Sequence, residues 1–337
     1  MLISKFEGFL SFLKNIGGII LITTHNLVDI DGLASCFNLK YCINHLIKEQ
    51  EACIYFSELS KHAKEVMDKL IRKFPELDLH YEKQIDFSMI STVIVLDTNN
   101  LNQTAIKHIL PSNIPVVFID HHFMLQKIGI ESEANSISMI SDDYSSTAEI
   151  ILDFCRTYEV NLPRSYKFLL TAAILTDSGF FNYGNNNTIR NVVDLLGNDI
   201  EFQEIVDVLK YNADFSEKLA IIKGLQRVEL IREKDWLIGL THVSSFEASV
   251  ASSLIKNGFD IGIVISKKKS SFRISTRARK SLCLQKGLHL GKILEGLSDN
   301  ESLSGGGHDS AASLNGEIGL ESVLDNLIEK VKQSLIN

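Results

Sequence analysis

The sequence has no excess of basic residues and no long apolar run. Its 34 lysines and arginines are outnumbered by 42 aspartates and glutamates, which leaves a net charge of −8. Proteins that wrap long duplex DNA usually carry a basic balance, so this class is disfavoured. The apolar run at residues 18–23 is far shorter than the roughly 20 residues that span a bilayer. We therefore expect neither long duplex nucleic acid nor a membrane as a partner.

The sequence also has no paired cysteine motif and no signal pattern at its start. The five cysteines are Cys36, Cys42, Cys53, Cys155 and Cys283. An odd count without a CxxC pair favours reduced thiols over a disulfide framework or a thiolate zinc site. Residues 3–16 carry apolar side chains at helical spacing instead of a basic segment followed by an apolar one. We therefore expect a cytoplasmic protein.

Apolar runs and helical patterns alternate along the chain. Its 337 residues are many for one domain and suit two. The first candidate strands lie at residues 18–23, 52–56, 92–96, 116–119 and 137–140. Helical patterns lie between them, for example at residues 33–48 and 62–73. A second set of candidate strands lies at residues 236–241, 261–265 and 271–275. Alternation of this kind predicts an α/β fold with a largely parallel sheet flanked by helices. We predict a larger domain at 1–190, a helical linker at 191–219 and a smaller α/β domain at 220–337.

Four acidic or histidine-bearing clusters each follow an apolar run. They are His25, Asp29 and Asp31 after GIILITT, Asp97 after TVIVL, Asp120, His121 and His122 after VVFI, and Asp177 after FLLTAAILT. Each cluster alone is compatible with a helix cap or a turn. Together they would meet at the carboxyl edge of a parallel sheet, where grouped charges are costly unless something pairs them. The set suits hydrolysis by two divalent ions that share a carboxylate, with manganese favoured and magnesium next.

Two further motifs lie near the C-terminus. The run Gly305, Gly306, Gly307 and His308 predicts either a flexible turn or a loop whose amides hold a phosphate. The basic segment 267–280 is either a solvated face or a phosphate clamp. Arg273 and Arg277 alternate with Ser275 on a predicted strand, so both guanidinium groups would share one face.

The segment SSTAE at residues 145–149 has a simpler interpretation. Ser146 and Glu149 have the spacing of a capping box, which indicates the start of a helix. The spacing assigns this segment no chemical role.

The ordered set of motifs resembles the DHH/DHHA1 phosphoesterases, a superfamily that includes RecJ-type exonucleases and the shorter nanoRNases and pAp phosphatases. The resemblance to the short, two-domain branch covers nearly the whole chain. It implies a DHH catalytic domain at 1–190 and a DHHA1 substrate-binding domain at 220–337. One metal would be held by His25, Asp29 and Asp97, and a second by Asp31, Asp97, His121 and Asp177. His122 would face the scissile phosphate and Asp120 would orient the histidines. Substrate contacts would come from Arg273, Arg277, Gly305, Gly306, Gly307 and His308.

The resemblance implies a manganese-dependent phosphodiesterase that releases nucleoside monophosphates. Its substrates would be dinucleotides, short oligoribonucleotides, linear products of cyclic dinucleotides and 3′-phosphoadenosine 5′-phosphate (pAp). A small basic patch in an acidic chain favours short single strands over long ones. Relatives in this superfamily are often dimers, so the resemblance also makes a homodimer an expectation.

Three other functions are alternatives to this phosphodiesterase. A RecJ-like exonuclease would add a nucleic-acid-binding OB-fold module, for which residues 309–337 are too few. A family II pyrophosphatase shares the metal ligands but not the GGGH motif. A non-catalytic nucleotide-binding scaffold would have no need for the full ligand set.

Overall fold

The computed structural model describes residues 2–122, 137–210, 213–298, 303–307 and 309–336. The chain forms two compact units, Met1–Tyr211 and Asn212–Asn337. The boundary falls inside the segment 191–219 that the sequence predicts as a helical linker. The helices Asn186–Leu196 and Phe202–Leu209, which overlap the first part of that segment, pack into the first unit.

The first unit contains a five-stranded sheet in which every pairing is parallel, with the order β3-β1-β5-β6-β7. Two short strands, β2 and β4, form a separate parallel pair. The strands are β1 (Ile19–Thr23), β2 (Leu27–Val28), β3 (Ala52–Ile54), β4 (Glu58–Leu59), β5 (Ile90–Leu96), β6 (Val116–Asp120) and β7 (Ile137–Ile140). The helices are α1 (Ile3–Asn15), α2 (Ile30–Leu46), α3 (Lys61–Lys73), α4 (Thr147–Thr157), α5 (Arg164–Asp177), α6 (Asn186–Leu196) and α7 (Phe202–Leu209).

Both faces of this sheet are buried, as expected when parallel strands read as continuous apolar runs. Ile20, Ile22 and Ile94 point into the main core, to which all seven helices contribute. Leu21 and Val93 point to the opposite face, into a smaller cluster closed by the chain around residues 85–114. The sheet therefore gives a rigid base, with the carboxyl ends of β1, β5 and β6 side by side at one edge.

The second unit contains a six-stranded mixed sheet with the order β12-β13-β11-β10-β9-β8. Its strands are β8 (Glu229–Glu233), β9 (Trp236–His242), β10 (Ile261–Lys267), β11 (Phe272–Ala278), β12 (Leu303–Gly307) and β13 (Ala311–Gly316). Its helices are α8 (Phe215–Gln226), α9 (Glu247–Lys256), α10 (Lys280–Lys286), α11 (Leu290–Glu295) and α12 (Leu320–Ile336). Helices α10, α11 and α12 pack on one face, and α8 and α9 pack on the other. The predicted α/β class, with a parallel sheet flanked by helices and a smaller α/β domain, is thus confirmed.

The expectation of five reduced thiols is wrong for one pair. Cys42 on α2 and Cys155 on α4 form a disulfide, whereas Cys36, Cys53 and Cys283 are free. The two paired cysteines are 113 residues apart in sequence, and only the packing of α2 against α4 brings them together. None of the helices in the described ranges has the length and apolar character needed to cross a lipid bilayer.

Candidate metal centre

The loop after β1 carries the first cluster because it turns directly into α2. Asp29 is the N-cap of α2, and its Oδ1 accepts a 3.0 Å hydrogen bond from the amide of Gly32. Asp31 lies in the first helical turn and is 1% exposed. The two-residue step therefore places one carboxylate at the helix entrance and the other inside the fold.

Asp97 lies between the histidines of two different loops. It follows β5 with a φ of +58°, a left-handed conformation that aspartate tolerates better than most residues. Its Oδ2 is 3.4 Å from Nε2 of His25, and its Oδ1 is 3.5 Å from Nε2 of His121. Each oxygen of this buried carboxylate thus faces a different imidazole, which is the geometry of a bridging ligand.

The first donor set consists of His25, Asp29 and Asp97, with one donor atom from each within 4.8 Å of the others. Nε2 of His25 is 3.6 Å from Oδ1 of Asp29. Burial lowers the pKa of His25, but the neighbouring carboxylates, with Asp29 foremost, outweigh it and raise that pKa. The imidazole therefore lies in a strongly negative field.

The second donor set consists of Asp31, His121 and Asp177, the last residue of α5. Nε2 of His121 is 3.1 Å from Asp177 Oδ2 and 4.0 Å from Asp31 Oδ2. This nitrogen is buried, and it makes no well-aligned hydrogen bond to any residue that the structure describes. An imidazole nitrogen among three carboxylates without such a bond fits a metal ligand better than a proton donor.

Burial and mutual repulsion keep protons in this cluster when no cation neutralises it. Burial, reinforced by the charge of Asp177, raises the pKa of Asp31 to about 7. Burial and the charge of Asp31 raise the pKa of Asp97. Burial lowers the pKa of His121, but Asp177 and the other carboxylates outweigh it and raise that pKa to about 9. The donor chemistry fits two divalent cations, which would displace these protons.

The DHH triplet extends the centre on its outer side. Asp120, the last residue of β6, is fully buried, and its Oδ1 is 2.8 Å from Nδ1 of His122. Asn99 donates a 2.8 Å hydrogen bond from Nδ2 to Oδ2 of Asp120. Asp120 thus favours the His122 tautomer with a proton on Nδ1, which leaves Nε2 of this largely exposed ring available to a substrate. Sequence reasoning missed Asn99, whose only signal is its position two residues after Asp97.

The segment 145–149 contributes more than a helix start. The amides of Thr147 and Ala148 donate to Asp31 at 2.7 and 2.9 Å, and Oγ1 of Thr147 donates to Asp97 at 3.1 Å. Ser146 caps α4 through the amide of Glu149, as predicted. The glutamate does not return to Ser146, as a full capping box requires, but accepts from the amide of Ser145. Thr147 and Ala148 were not predicted as site residues.

The C-terminal motifs lie in the second unit. Arg273, Ser275 and Arg277 alternate along β11 as predicted, and burial together with the charge of Arg273 lowers the pKa of Arg277. In the strand register Ser275 pairs with Ser313 on β13, which pairs with Gly306 on β12. This face of the sheet therefore carries two guanidinium groups above a floor of small residues.

The glycine run is an edge strand, which corrects the prediction of a loop. Gly305–Gly307 belong to β12, paired with β13. A side chain at Gly305 would press on the backbone of α11, and Gly307 adopts a φ of +142°. Gly306 has open space above it. His308, predicted to contact substrate, lies outside the described residues.

The sequence is similar to known proteins. Residues 19–175 match the family model "DHH family, N-terminal domain". An uncharacterized protein of Methanocaldococcus jannaschii is 30% identical over 315 residues, which cover 93% of this chain and 91% of that protein.

Two solved structures share the fold at low sequence identity. An exopolyphosphatase-related protein from Bacteroides fragilis has a TM-score of 0.71 at 17% identity, with 99% of this chain and 98% of that chain covered. RecJ from Thermus thermophilus, in complex with Mn²⁺, has a TM-score of 0.52 at 11% identity, with 98% of this chain and 54% of that chain covered.

Proposed function

The chain belongs to the DHH family of phosphoesterases, and on that premise we propose that it is a manganese-dependent phosphodiesterase acting on very short oligonucleotides. The observation that carries this proposal is the position of Asp97, which belongs to the first donor set and turns its other oxygen toward His121 of the second set. A non-catalytic scaffold would have no use for a buried carboxylate with one oxygen turned toward each set.

Two divalent ions would occupy the centre. His25, Asp29 and Asp97 would hold one ion, and Asp31, Asp97, His121 and Asp177 would hold the other. Bound there, such ions activate water and neutralise charge on an attacked phosphoryl group. The mixture of imidazole and carboxylate donors supports manganese, with magnesium as the alternative.

His122 would act on the substrate itself. With Nδ1 held by Asp120, the ring can carry a second proton on Nε2, and in this doubly protonated form it would contact the scissile phosphate and give the Nε2 proton to the leaving oxygen. Asp120 would be a positioning residue for this ring, and Asn99 would hold Asp120 in place. Both act through His122 and not on the phosphate.

Residues of the second unit would contact the substrate. Arg273 and Arg277 offer bidentate contacts to a phosphate, and the open space at Gly306 lets a nucleotide approach the sheet closely. Gly305 and Gly307 would shape the strand and His308 would complete the contact. The confined basic patch supports dinucleotides, short RNA or DNA strands, linear products of cyclic dinucleotides and pAp. A cytoplasmic location and a homodimer stay predictions.

The test is a side-by-side hydrolysis assay with Mn²⁺ on pAp, a dinucleotide, a five-mer, a cyclic dinucleotide, a long single DNA strand and pyrophosphate. We expect the highest kcat/KM on the dinucleotide or pAp, and no turnover by Asp97→Ala prepared in parallel. Faster degradation of the long strand would establish the RecJ-like exonuclease instead. Preference for pyrophosphate would establish a pyrophosphatase, and no hydrolysis of any substrate would favour the scaffold.

A further inference from the structure

Glu149 on α4 is a buried carboxylate that the proposed chemistry does not use. It is 1% exposed. Its Oε2 accepts from the amide of Ser145 at 2.8 Å, from Oγ of Ser145 at 2.7 Å and from Oγ1 of Thr188 at 3.4 Å. Its Oε1 accepts from Nδ2 of Asn191 at 2.8 Å. These four donors are neutral, so the carboxylate is held by directed hydrogen bonds and not by a counter-charge.

The same short segment that Glu149 holds also serves the metal centre. The amide of Ser145 donates to Glu149. Two and three residues further on, the amides of Thr147 and Ala148 donate to Asp31. Amides at a helix start have no partner within the helix, so their direction depends on how the preceding turn is anchored. Glu149 and Asp31 therefore bind two sides of one turn.

The orientation of Asn191 is fixed from outside this cluster. Nη1 of Arg156 donates to Oδ1 of Asn191, and Nη2 of Arg156 pairs with Asp194 at 2.9 Å. Because a guanidinium group only donates, Oδ1 of Asn191 must face Arg156 and the amide nitrogen must face Glu149. Because Asn191 donates to one oxygen and Ser145 to the other, both side-chain oxygens of residue 149 must be acceptors.

We infer that Glu149 is a positioning residue for the metal centre, a role that rests on the proposed function. It fixes residues 145–148 so that the amides of Thr147 and Ala148 hold Asp31 and the Thr147 hydroxyl meets Asp97. Loss of this anchor affects the set that contains Asp31 more than the set that contains His25. The signature is therefore unequal weakening of the two metal sites, which a general loss of stability would not produce.

The test uses Glu149→Gln, Asn191→Asp and the double variant. A glutamine keeps the shape but accepts on one oxygen only, so its amide group must face either Asn191 or the Ser145 donors. Asn191→Asp alone sets two carboxylates against each other. In the double variant the glutamine amide donates to the carboxylate introduced at position 191, which also accepts from Arg156. The pattern of donors is then restored with the two groups exchanged.

The readout is calorimetric titration of the metal-free protein with Mn²⁺, together with kcat on the dinucleotide and the melting temperature. We expect each single variant to weaken one of two Mn²⁺ sites by about 10- to 100-fold, and the double variant to recover most of that loss. Glu204→Gln, the same change at a half-buried glutamate on α7 that pairs with Arg164 and Lys73, should keep both sites.

Unchanged Mn²⁺ binding in Glu149→Gln, or losses that add in the double variant, would overturn the inference. If Glu149→Gln does not fold, Ser145→Ala removes one donor at lower cost, and the same unequal weakening is expected there. Equal weakening of both sites would overturn the inference too. If the wild type binds two Mn²⁺ with this pattern but cleaves no dinucleotide, the proposed function fails and the positioning role stands.

Discussion

The amide of Thr147 donates a 2.7 Å hydrogen bond to Oδ2 of Asp31, across 116 residues of sequence. The amide of Ala148 donates to the other oxygen at 2.9 Å. Two donors at the start of a helix hold a carboxylate in one rotamer and favour its ionised form. They act against burial, which raises the pKa of Asp31 to about 7. The start of α4 thus holds the Asp31 side chain beside His121 and Asp177, the other members of the second donor set, before any cation binds.

Replacement of Asp97 should abolish turnover, because in the proposed centre this carboxylate would bind both ions. We expect Asp97→Ala to lower kcat on the dinucleotide by on the order of 10³-fold or more. Calorimetry with Mn²⁺ should show that affinity falls at both sites. A variant that retains wild-type turnover would support the scaffold alternative.

The conformation of Asp97 requires a second variant as a control for folding. Alanine is less favourable than aspartate at a φ of +58°, whereas asparagine is well tolerated there. We therefore expect Asp97→Asn to lose activity while keeping a melting temperature close to that of the wild type. Asp68→Ala, a change on the outer part of α3, should leave metal binding and turnover unchanged.

Replacement of His122 should separate proton transfer from metal binding. Its ring is held by Asp120, and it lies outside the donor sets of His25 and of Asp31, although Asp97, Asp120, His121 and His122 form a further group with the spacing of metal ligands. We expect His122→Ala to lower kcat by about 10²- to 10⁴-fold with little change in Mn²⁺ affinity. The comparison needs single-turnover rates and calorimetry on the same preparation. Loss of a bound Mn²⁺ in this variant would instead make His122 a ligand.

Stability of the metal-free protein should fall as the pH rises. The pKa of Asp31 is raised to about 7 and that of His121 to about 9, so both groups hold protons more tightly when folded than when unfolded. The stability from this proton binding is complete below the unfolded pKa values and is lost as the pH rises through the folded ones. We expect the melting temperature in chelator to decrease between about pH 5 and pH 9.

Mn²⁺ should reverse this trend, because it needs the deprotonated ligands and its affinity therefore rises with pH. Melting curves with and without Mn²⁺ across that range would measure the effect. His121→Gln should flatten the decrease between about pH 7 and pH 9, whereas the exposed His80→Gln should not. Equal slopes with and without Mn²⁺ would contradict a metal centre at these residues.

The parts of the fold that follow from local pattern were predictable. Strand β7 matches its predicted range, and β1 differs from its predicted range by one residue, because buried parallel strands read as short apolar runs. Ligands at the ends of such strands must converge, so the grouping of His25, Asp97 and His121 follows from the order of motifs alone.

Other features depend on contacts that residue type does not reveal. Every residue except proline has a backbone N–H group, so nothing in the sequence marks the amides of Thr147 and Ala148 as ligands of Asp31. The disulfide between Cys42 and Cys155 depends on how two helices pack. The glycine run suggests a turn by composition, whereas the run forms a strand in which the missing side chain of Gly305 lets α11 approach β12 closely.

That close approach gives a last prediction, on stability. A side chain at Gly291 on α11 would lie far inside van der Waals contact with the carbonyl of Gly307. We expect Gly291→Ala to destabilise the second unit by about 1–3 kcal/mol, measured by urea unfolding, because α11 must move off the strand. Gly306 has open space above it, so Gly306→Ala should leave the free energy of unfolding nearly unchanged. If Gly306 lies under the substrate, the same variant should raise KM on the dinucleotide while Mn²⁺ binding stays as in the wild type. An equal loss of stability in both variants would mean that packing alone accounts for the glycine run.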